Sequence, residues 1–203
     1  MFHNSVKLFL KSIVPLLMII IFFSQPLRGK DLMIDDFQSA GNERWEFISD
    51  QVMGGVSTGK MLFKNQDLDG YLHLTGNVST KNQGGFIQAR TSLKNVLTND
   101  IKGIKIRAKG NATKYYLHLR TNGTILPWHY YQAEFNVQEN WSDISIPLIN
   151  FKKSGGFLRN KIKPKSLKSI GIVAYGRDHI ACLLYTSDAA DEGLGVDLGG
   201  RRI

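Results

Sequence analysis

Residues 114–120 of this chain read KYYLHLR, and residues 103–108 read GIKIRA. In the first stretch Tyr115, Leu117 and Leu119 alternate one by one with a tyrosine, a histidine and an arginine. Successive side chains of a β-strand point to opposite faces of its sheet, so this period of two predicts a strand with one face in a core and the other wet or available for binding. The two stretches therefore favour an all-β fold.

Similar short runs fill the chain between Asp31 and Ala181. Turn-forming pairs such as Asn122-Gly123 and Glu139-Asn140 separate them, at a spacing typical of a sandwich or barrel. Residues 164–168 form the one helical stretch here, about one turn long, so no crossover between parallel strands is predicted. Eight strands are predicted, at 57–63, 71–78, 85–91, 103–108, 114–120, 130–137, 142–148 and 169–175.

The N-terminus has the layout of a secretory signal. Lys7 and Lys11 precede an apolar run at 13–23, which is shorter than the roughly 18 residues of a membrane-spanning helix. We therefore expect residues 1–29 to be a signal peptide and the protein to be periplasmic or extracellular. An uncleaved N-terminal anchor is the alternative, because residues 27–29 (LRG) are a poor match to the small-x-small cleavage pattern.

The C-terminus matches a cloning artefact. Residues 182–192 (CLLYTSDAADE) and 196–203 (VDLGGRRI) resemble one reading frame through both halves of a transposase-type sequencing adapter. We therefore expect residues 182–203 to be a non-native tail and residues 31–181 to be the domain. Cys182, the only cysteine, then lies outside it, so no disulfide or thiolate metal site is predicted. A domain ending there would lack its last native strand and expose a sheet edge.

Residues 31–181 contain 20 Lys and Arg against 13 Asp and Glu, a net charge of +7. A basic surface favours anionic partners. The run of cations from Lys152 to Lys168 predicts weak contact with an anionic membrane or polyanion, or else a solvated loop. Nothing in the sequence predicts specific binding of nucleic acid.

Residues 45–57 (WEFISDQVMGGVS) and 84–90 (GGFIQAR) are the most distinctive stretches. In the first, Asp50 and Ser57 are candidates to face a ligand, or the paired glycines make a tight turn that Asp50 stabilises. In the second, a glycine pair enters a strand that could present Gln88 and Arg90 outward.

An aromatic cluster at 127–132 (PWHYYQ) offers Trp128 and Tyr131 as a platform on which a sugar could stack, with Arg120 on the strand before it. The alternative is that such rings fill the sandwich core. For Trp141, which precedes an alternating apolar strand, the core is the favoured position.

Catalytic patterns are weak in this sequence. The five histidines are scattered, without the spacing of metal ligands, and the adjacent Asp35 and Asp36 would point to opposite faces of a strand. Neither glycine pair forms a phosphate-binding loop. We therefore predict a protein that is not an enzyme and needs no metal or cofactor, with a sugar-active enzyme using Asp50 as the alternative.

The motif W-x4-D-x-VMGGVS at 45–57, GGFIQAR at 84–90 and the later segments LHLRTNG, YQAEF and W-x4-IPL-x2-F together resemble the complex I intermediate-associated protein 30 family, over about 35–181. The resemblance implies a jelly-roll sandwich of the galactose-binding-like type, related in shape to carbohydrate-binding modules. It also implies an assembly chaperone rather than an enzyme, although an exported member need not assemble complex I. The expected function is an extracytoplasmic domain that binds a protein partner or a glycan. The residues that carry the family pattern and are expected to be structural are Trp45, Met53, Gly54, Gly55, Gly84, Gly85, Phe86 and Trp141.

Overall fold

The computed structural model describes residues 32–35, 37, 44–66, 69–93, 101–111 and 113–191, and these form twelve β-strands. The predicted signal segment, 1–29, and residues 192–203 lie outside the described residues. Within the described part of the chain, no helix has the length and apolar character needed to span a bilayer. The strands are β1 (Leu32–Asp35), β2 (Trp45–Ser49), β3 (Thr58–Gln66), β4 (Asp69–Val78), β5 (Phe86–Ser92), β6 (Gly103–Gly110), β7 (Lys114–Thr121), β8 (Tyr131–Asn136), β9 (Ser142–Pro147), β10 (Lys152–Lys153), β11 (Leu167–Tyr175) and β12 (His179–Asp191).

The strands form two antiparallel sheets that pack face to face. Sheet A has the order β3-β4-β12-β6-β9, and β1 also pairs with β12. Sheet B has the order β10-β8-β7-β11-β5-β2. The predicted all-β sandwich is confirmed, and each of the eight predicted strands is present with bounds shifted by a few residues.

The core lies between the sheets and is made by the alternation seen in the sequence. Tyr115, Leu117 and Leu119 of β7 have no exposed surface, and neither does Ile104 on β6 of sheet A. Burial of such a side chain stabilises the fold by roughly 1.5–3 kcal/mol. The side chains of opposite parity on β7 point to the outer face of sheet B, which is where the candidate site lies.

An aromatic cluster joins the two sheets at one end of the core. The ring of Phe37 lies 5.5 Å from Trp45 of β2 and 5.3 Å from Tyr185 of β12, and Trp45 lies 5.8 Å from Tyr185. The indole N–H of Trp45 donates to Asp35 Oδ2 at 2.9 Å, so the buried ring is also hydrogen-bonded. Trp45 therefore has the structural role that the family pattern predicts.

The structure corrects the expectation of an exposed sheet edge after Ala181, whereas the expected loss of the last native strand stays a prediction. β12 runs through residues 182–191, and it lies inside sheet A between β4 and β6. Leu183 and Tyr185 are fully buried while Cys182 and Leu184 are half-buried, so this segment has a period of two that the sequence reading missed. The adapter origin of residues 182–203 is a separate question and stays a prediction.

Candidate functional site

The glycine-rich family motif folds into a closed corner around one carboxylate. A 3₁₀ turn, Asp50–Met53, follows β2, and the Asp50 side chain has no exposed surface. Its carboxylate accepts hydrogen bonds from Ser57 N at 2.9 Å, Ser57 Oγ at 2.5 Å, Gly85 N at 2.5 Å and Phe86 N at 3.3 Å. Asp50 therefore ties the start of β5 in sheet B to the residue that precedes β3 in sheet A. We call this arrangement the Asp50 clasp.

The clasp explains the paired glycines. A Cβ at Gly55 would lie 2.3 Å from Asp50 Cγ, and one at Gly84 would lie 2.4 Å from Asp50 Oδ2. Burial raises the pKa of Asp50, but the hydrogen bonds from Ser57, Gly85 and Phe86 outweigh this and lower it below its ordinary value. The corner thus holds a charged, fully paired carboxylate.

A groove crosses the outer face of sheet B, with a volume of about 540 Å³. Its floor lies on β11 at Gly171, which pairs with Arg90 of β5 on one side and His118 of β7 on the other. A Cβ at Gly171 would lie 2.9 Å from Gln88 Cδ. The groove is therefore deep at its centre because this position has no side chain.

One wall of the groove is aromatic. The His118 ring stacks on Tyr130 at 4.1 Å between centroids and 11° between planes, and Tyr175 meets His118 edge-on at 6.0 Å. Trp128, in the loop before β8, also lines the groove and is 60% exposed. The opposite wall and lip come from Ile48, Phe86, Val52 and Met53.

Two polar side chains next to the aromatic wall, His118 and Gln132, each have a buried atom without a hydrogen-bond partner in the described part of the chain. His118 is 9% exposed, and neither its Nε2 nor Oε1 of Gln132, its neighbour across β7 and β8, has a partner at hydrogen-bonding geometry among the described residues. Burial lowers the pKa of His118 to about 4, against a smaller opposing effect of Gln132. At neutral pH the groove therefore offers the uncharged imidazole of His118 to a ligand.

Two arginines stand at one end of the groove. Arg90 Nε and Nη2 both donate to Glu46 Oε1 at 2.6 Å. Arg120 Nη2 donates to the carbonyls of Thr124 at 2.9 Å and Leu126 at 3.0 Å. Both side chains are fixed, one by a carboxylate and the other by backbone carbonyls.

A family model described as Complex I intermediate-associated protein 30 (CIA30) matches residues 35–184. This chain belongs to that family. The Asp50 clasp and the glycines around it lie within the matched residues, as does the whole groove. A comparison with curated protein sequences gave no match.

Solved structures of carbohydrate-binding modules share the fold of this family member. The family 11 module of a cellulosomal cellulase of Clostridium thermocellum has a TM-score of 0.65 and 13% identity, over 80% of this chain and 95% of that one. A family 11 module of the same organism in complex with a beta-1,3-1,4-mixed-linked tetrasaccharide has a TM-score of 0.64 and 14% identity, over 78% and 94%. An exo-beta-agarase has a TM-score of 0.52 and 8% identity, over 76% of this chain and 24% of the agarase. Identities this low show the shared fold alone.

Four of the predicted ligand contacts meet at the groove: Gln88, Arg90, Arg120 and Trp128 all line it. Asp50 and Ser57 do not, because both are fully buried in the clasp. As ligand candidates those two are corrected by the structure, and the tight-turn alternative holds instead. The family signature at 45–57 therefore describes the frame of the domain.

Tyr131 is also corrected as a ligand contact. It is 3% exposed, points into the core and donates its hydroxyl to Arg159 O at 2.9 Å. Its neighbour Tyr130 lines the groove instead. Two adjacent tyrosines leave the parity of the strand undecided in the sequence, and the residue chosen was one position away.

Three residues of the expected structural set have other positions. Met53 is 57% exposed at the groove lip, and Phe86 is half-buried in the groove wall. Trp141 is half-buried and not in the core, and its ring lies 5.1 Å from Lys109 Nζ and 6.3 Å edge-on from Tyr71. Lys109 and Tyr71 lie on β6 and β4, so Trp141 covers part of sheet A.

Sequence reasoning missed Gly171, Tyr175, Tyr130 and His118 as groove residues. The sequence did indicate His118, because it lies two residues before Arg120 on β7 and therefore faces the same side of the sheet. Gly171 carried no such signal, since its importance depends on which strands lie beside it. Among the described residues, no three His, Cys, Asp or Glu side chains are grouped as metal ligands.

The basic run at 152–168 begins in β10, continues through the loop between β10 and β11, and ends in β11. Lys153 Nζ donates to Leu158 O at 3.1 Å, which holds the loop closed, while the adjacent Phe157 is 97% exposed. An exposed ring among lysines is consistent with the predicted anionic membrane or polyanion contact, which stays a prediction.

Acidification should destabilise this family member through His118. Because its pKa of about 4 in the fold is below the ordinary 6.5, the unfolded chain takes up the proton first. Stability is complete above pH 6.5 and falls by up to about 3 kcal/mol between pH 6.5 and 4. His118→Phe keeps an aromatic ring stacked on Tyr130 and removes the titrating group. The free energy of unfolding, measured by chemical denaturation between pH 6.5 and 4, should therefore depend less on pH in this variant.

His73 provides the control. Partial burial lowers the pKa of His73, and so do the charges of Lys64 and Lys60. His73 is less buried than His118. His73→Phe should therefore change the pH dependence much less. Equal flattening by both variants would contradict the assignment of the effect to His118.

Proposed function

We propose that this protein is a non-catalytic, extracytoplasmic binding domain that holds a glycan in the groove on sheet B. The observation that carries the proposal is the pairing of aromatic rings, one of them the exposed Trp128, with the unpaired Nε2 of His118 in one open groove. Sugar rings present apolar C–H faces that stack on aromatic side chains, and hydroxyls that both donate and accept hydrogen bonds. Trp128 and Tyr130 provide the first kind of surface, and the imidazole of His118 provides the second.

The size and position of the groove support this function. A volume of about 540 Å³ lies within the roughly 300–1,000 Å³ of small-ligand pockets. The groove is open along the sheet, so a chain can lie across Gly171 and continue past either end. The tetrasaccharide complex of the similar module supports a glycan as ligand, and the signal-like N-terminus supports a location where polysaccharides are found.

A protein partner is the second candidate, favoured by the groove lip. Val52 is 72% exposed and Met53 is 57% exposed, and both belong to the turn that follows β2. A partner that covers this lip fits the assembly role of the family's name. Such a partner would depend on Val52 and Met53 and would make little use of the groove floor.

Filling the floor tests the glycan proposal. Gly171→Val places a branched side chain against the flexible end of Gln88, so the groove should close while the strand pairs persist. We expect at least tenfold weaker binding of soluble oligosaccharides, measured by titration calorimetry on a panel that includes mixed-linked β-glucan and agaro-oligosaccharides. The melting temperature should stay within a few degrees.

Gly156→Val is the matched control, since a Cβ at Gly156 meets nothing within 4 Å. It adds the same side chain in open space and should leave binding unchanged. The proposal is wrong if no member of the panel binds, or if both valine variants bind as the parent does.

A further inference from the structure

The arginine end of the groove is the junction of two cavities. A second cavity of about 490 Å³ shares Arg90, Arg120 and Ser169 with the groove. Arg120 pairs in register with Ser169, and Arg90 pairs with Gly171, so the two guanidinium groups flank β11. A chain lying in the groove and extending in this direction passes directly over them.

The charges at this junction do not balance. Among the described residues that line the two cavities, Glu46 is the only carboxylate, and it is bonded to Arg90. Lys168 adds a third cation to the second cavity. Three cations therefore face one anion.

Arg120 carries the excess charge. Its acceptors are the hydroxyl of Thr124 and the carbonyls of Thr124 and Leu126, which are neutral, and they use Nε and Nη2. No hydrogen bond from Nη1 is recorded within the described part of the chain, so two N–H donors of a fixed guanidinium remain available. Burial, and then the charge of Arg90, lower the pKa of Arg120.

The unpaired atoms of the floor are an independent sign of a ligand beside this junction. His118 and Gln132 continue the row that starts with Arg90 and Gly171. Both point outward from sheet B, and His118, which lines the groove, has an unpaired Nε2. A sugar hydroxyl above His118 would lie next to the arginines.

We propose that the bound glycan is acidic, and that Arg120 binds its carboxylate or sulfate group at the junction while the neighbouring sugar lies on Gly171 and His118. This inference rests on the proposed glycan function and adds the chemical class of the ligand. Hydrogen bonds between a guanidinium and an oxyanion are roughly twice as strong as neutral ones, and Arg120 is already oriented for one.

The test uses short oligosaccharides in matched pairs, titrated into the full domain. Trigalacturonate and its methyl ester have the same backbone with and without charge, and sulfated and unsulfated galactan oligosaccharides separate sulfate from carboxylate. We expect at least a tenfold preference for one charged member over its neutral counterpart. The preferred pair identifies the anionic group.

Three variants show whether Arg120 is responsible. Arg120→Gln should abolish the preference for the charged ligand, and Arg120→Lys should retain part of it. Lys165→Gln removes one charge from an exposed side chain that lines neither cavity, and it should stay within twofold of the parent. If Arg120→Gln unfolds the loop, Arg120→Lys and the salt dependence of the parent decide the question.

The outcomes separate this inference from the function on which it rests. Equal affinity for charged and neutral members, with binding still lost in Gly171→Val, overturns the acidic ligand and leaves the glycan function intact. Equal losses in Arg120→Gln and Lys165→Gln indicate general attraction to a basic surface, and they also overturn it. Absence of binding to every oligosaccharide overturns both.

Discussion

A chain that ends after Ala181 should fail to fold cooperatively. Every recorded pair between β12 and β6, and between β12 and β1, involves residues beyond Ala181. The same cut removes Leu183 and Tyr185 from the core, where both are fully buried. Loss of such side chains costs about 2–5 kcal/mol each, out of the 5–15 kcal/mol that typically stabilises a domain. Thermal unfolding followed by circular dichroism would check this.

A chain that ends after Asp191 keeps all strand pairs and is the control, with an unfolding transition close to that of the full chain. A second comparison works where the short chain is not soluble. Leu183→Ala should cost about 2–5 kcal/mol, whereas Leu184→Ala, on the other face of β12 and half-buried, should cost much less. Similar values for the two would contradict the observed parity of β12. Resequencing the gene across the Ala181 codon separately tests the adapter prediction.

Asp50→Asn should destabilise the fold by about 3 kcal/mol, because it replaces a buried carboxylate that four donor contacts satisfy with a neutral amide. For a domain of this size, this corresponds to a fall of roughly 6–12 °C in Tm. The folded-state pKa of Asp50 is depressed, so its contribution is present above the unfolded value near 3.8 and is lost as pH falls below it. The difference between parent and variant should therefore narrow in strong acid.

Asp178→Asn is the matched control. Its carboxylate also accepts bonds from a backbone N–H and a hydroxyl, both of Thr80, but it lies at the surface. Exposed pairs of this kind contribute little, so the Tm should change by no more than a degree or two. A small effect of Asp50→Asn, comparable to that of Asp178→Asn, would show that the clasp does not stabilise the corner.

The sequence predicted the strands whose alternation is strict. On β7 the period of two gave the strand, its core face and its outer face. The sequence does not predict β2, because WEFIS leads directly into the glycine motif and resembles the start of a loop. It does not predict β12, because residues 182–191 resemble an adapter, although Leu183 and Tyr185 follow the same parity as Ala181.

The sequence predicted a site residue where a residue type suited to binding stands at a strand position that faces outward, as for Arg90 and Arg120. The site was not predictable where parity was ambiguous, as for Tyr130 and Tyr131. Position 171 shows the larger difficulty. A glycine forms the floor of a groove only because Arg90 and His118 lie across from it, and that pairing depends on the order of the strands.

Residues of the Asp50 clasp hold the two sheets together, and other residues line the groove. The two roles are divided as they are between the framework and the recognition surface of an antibody. The motif that identifies the family closes the corner between the sheets. Arg90, His118, Arg120 and Gly171 have no part in that closure. Chains that share the clasp can therefore still differ in their grooves, and the ligand of each is to be sought in its outward-facing strand positions.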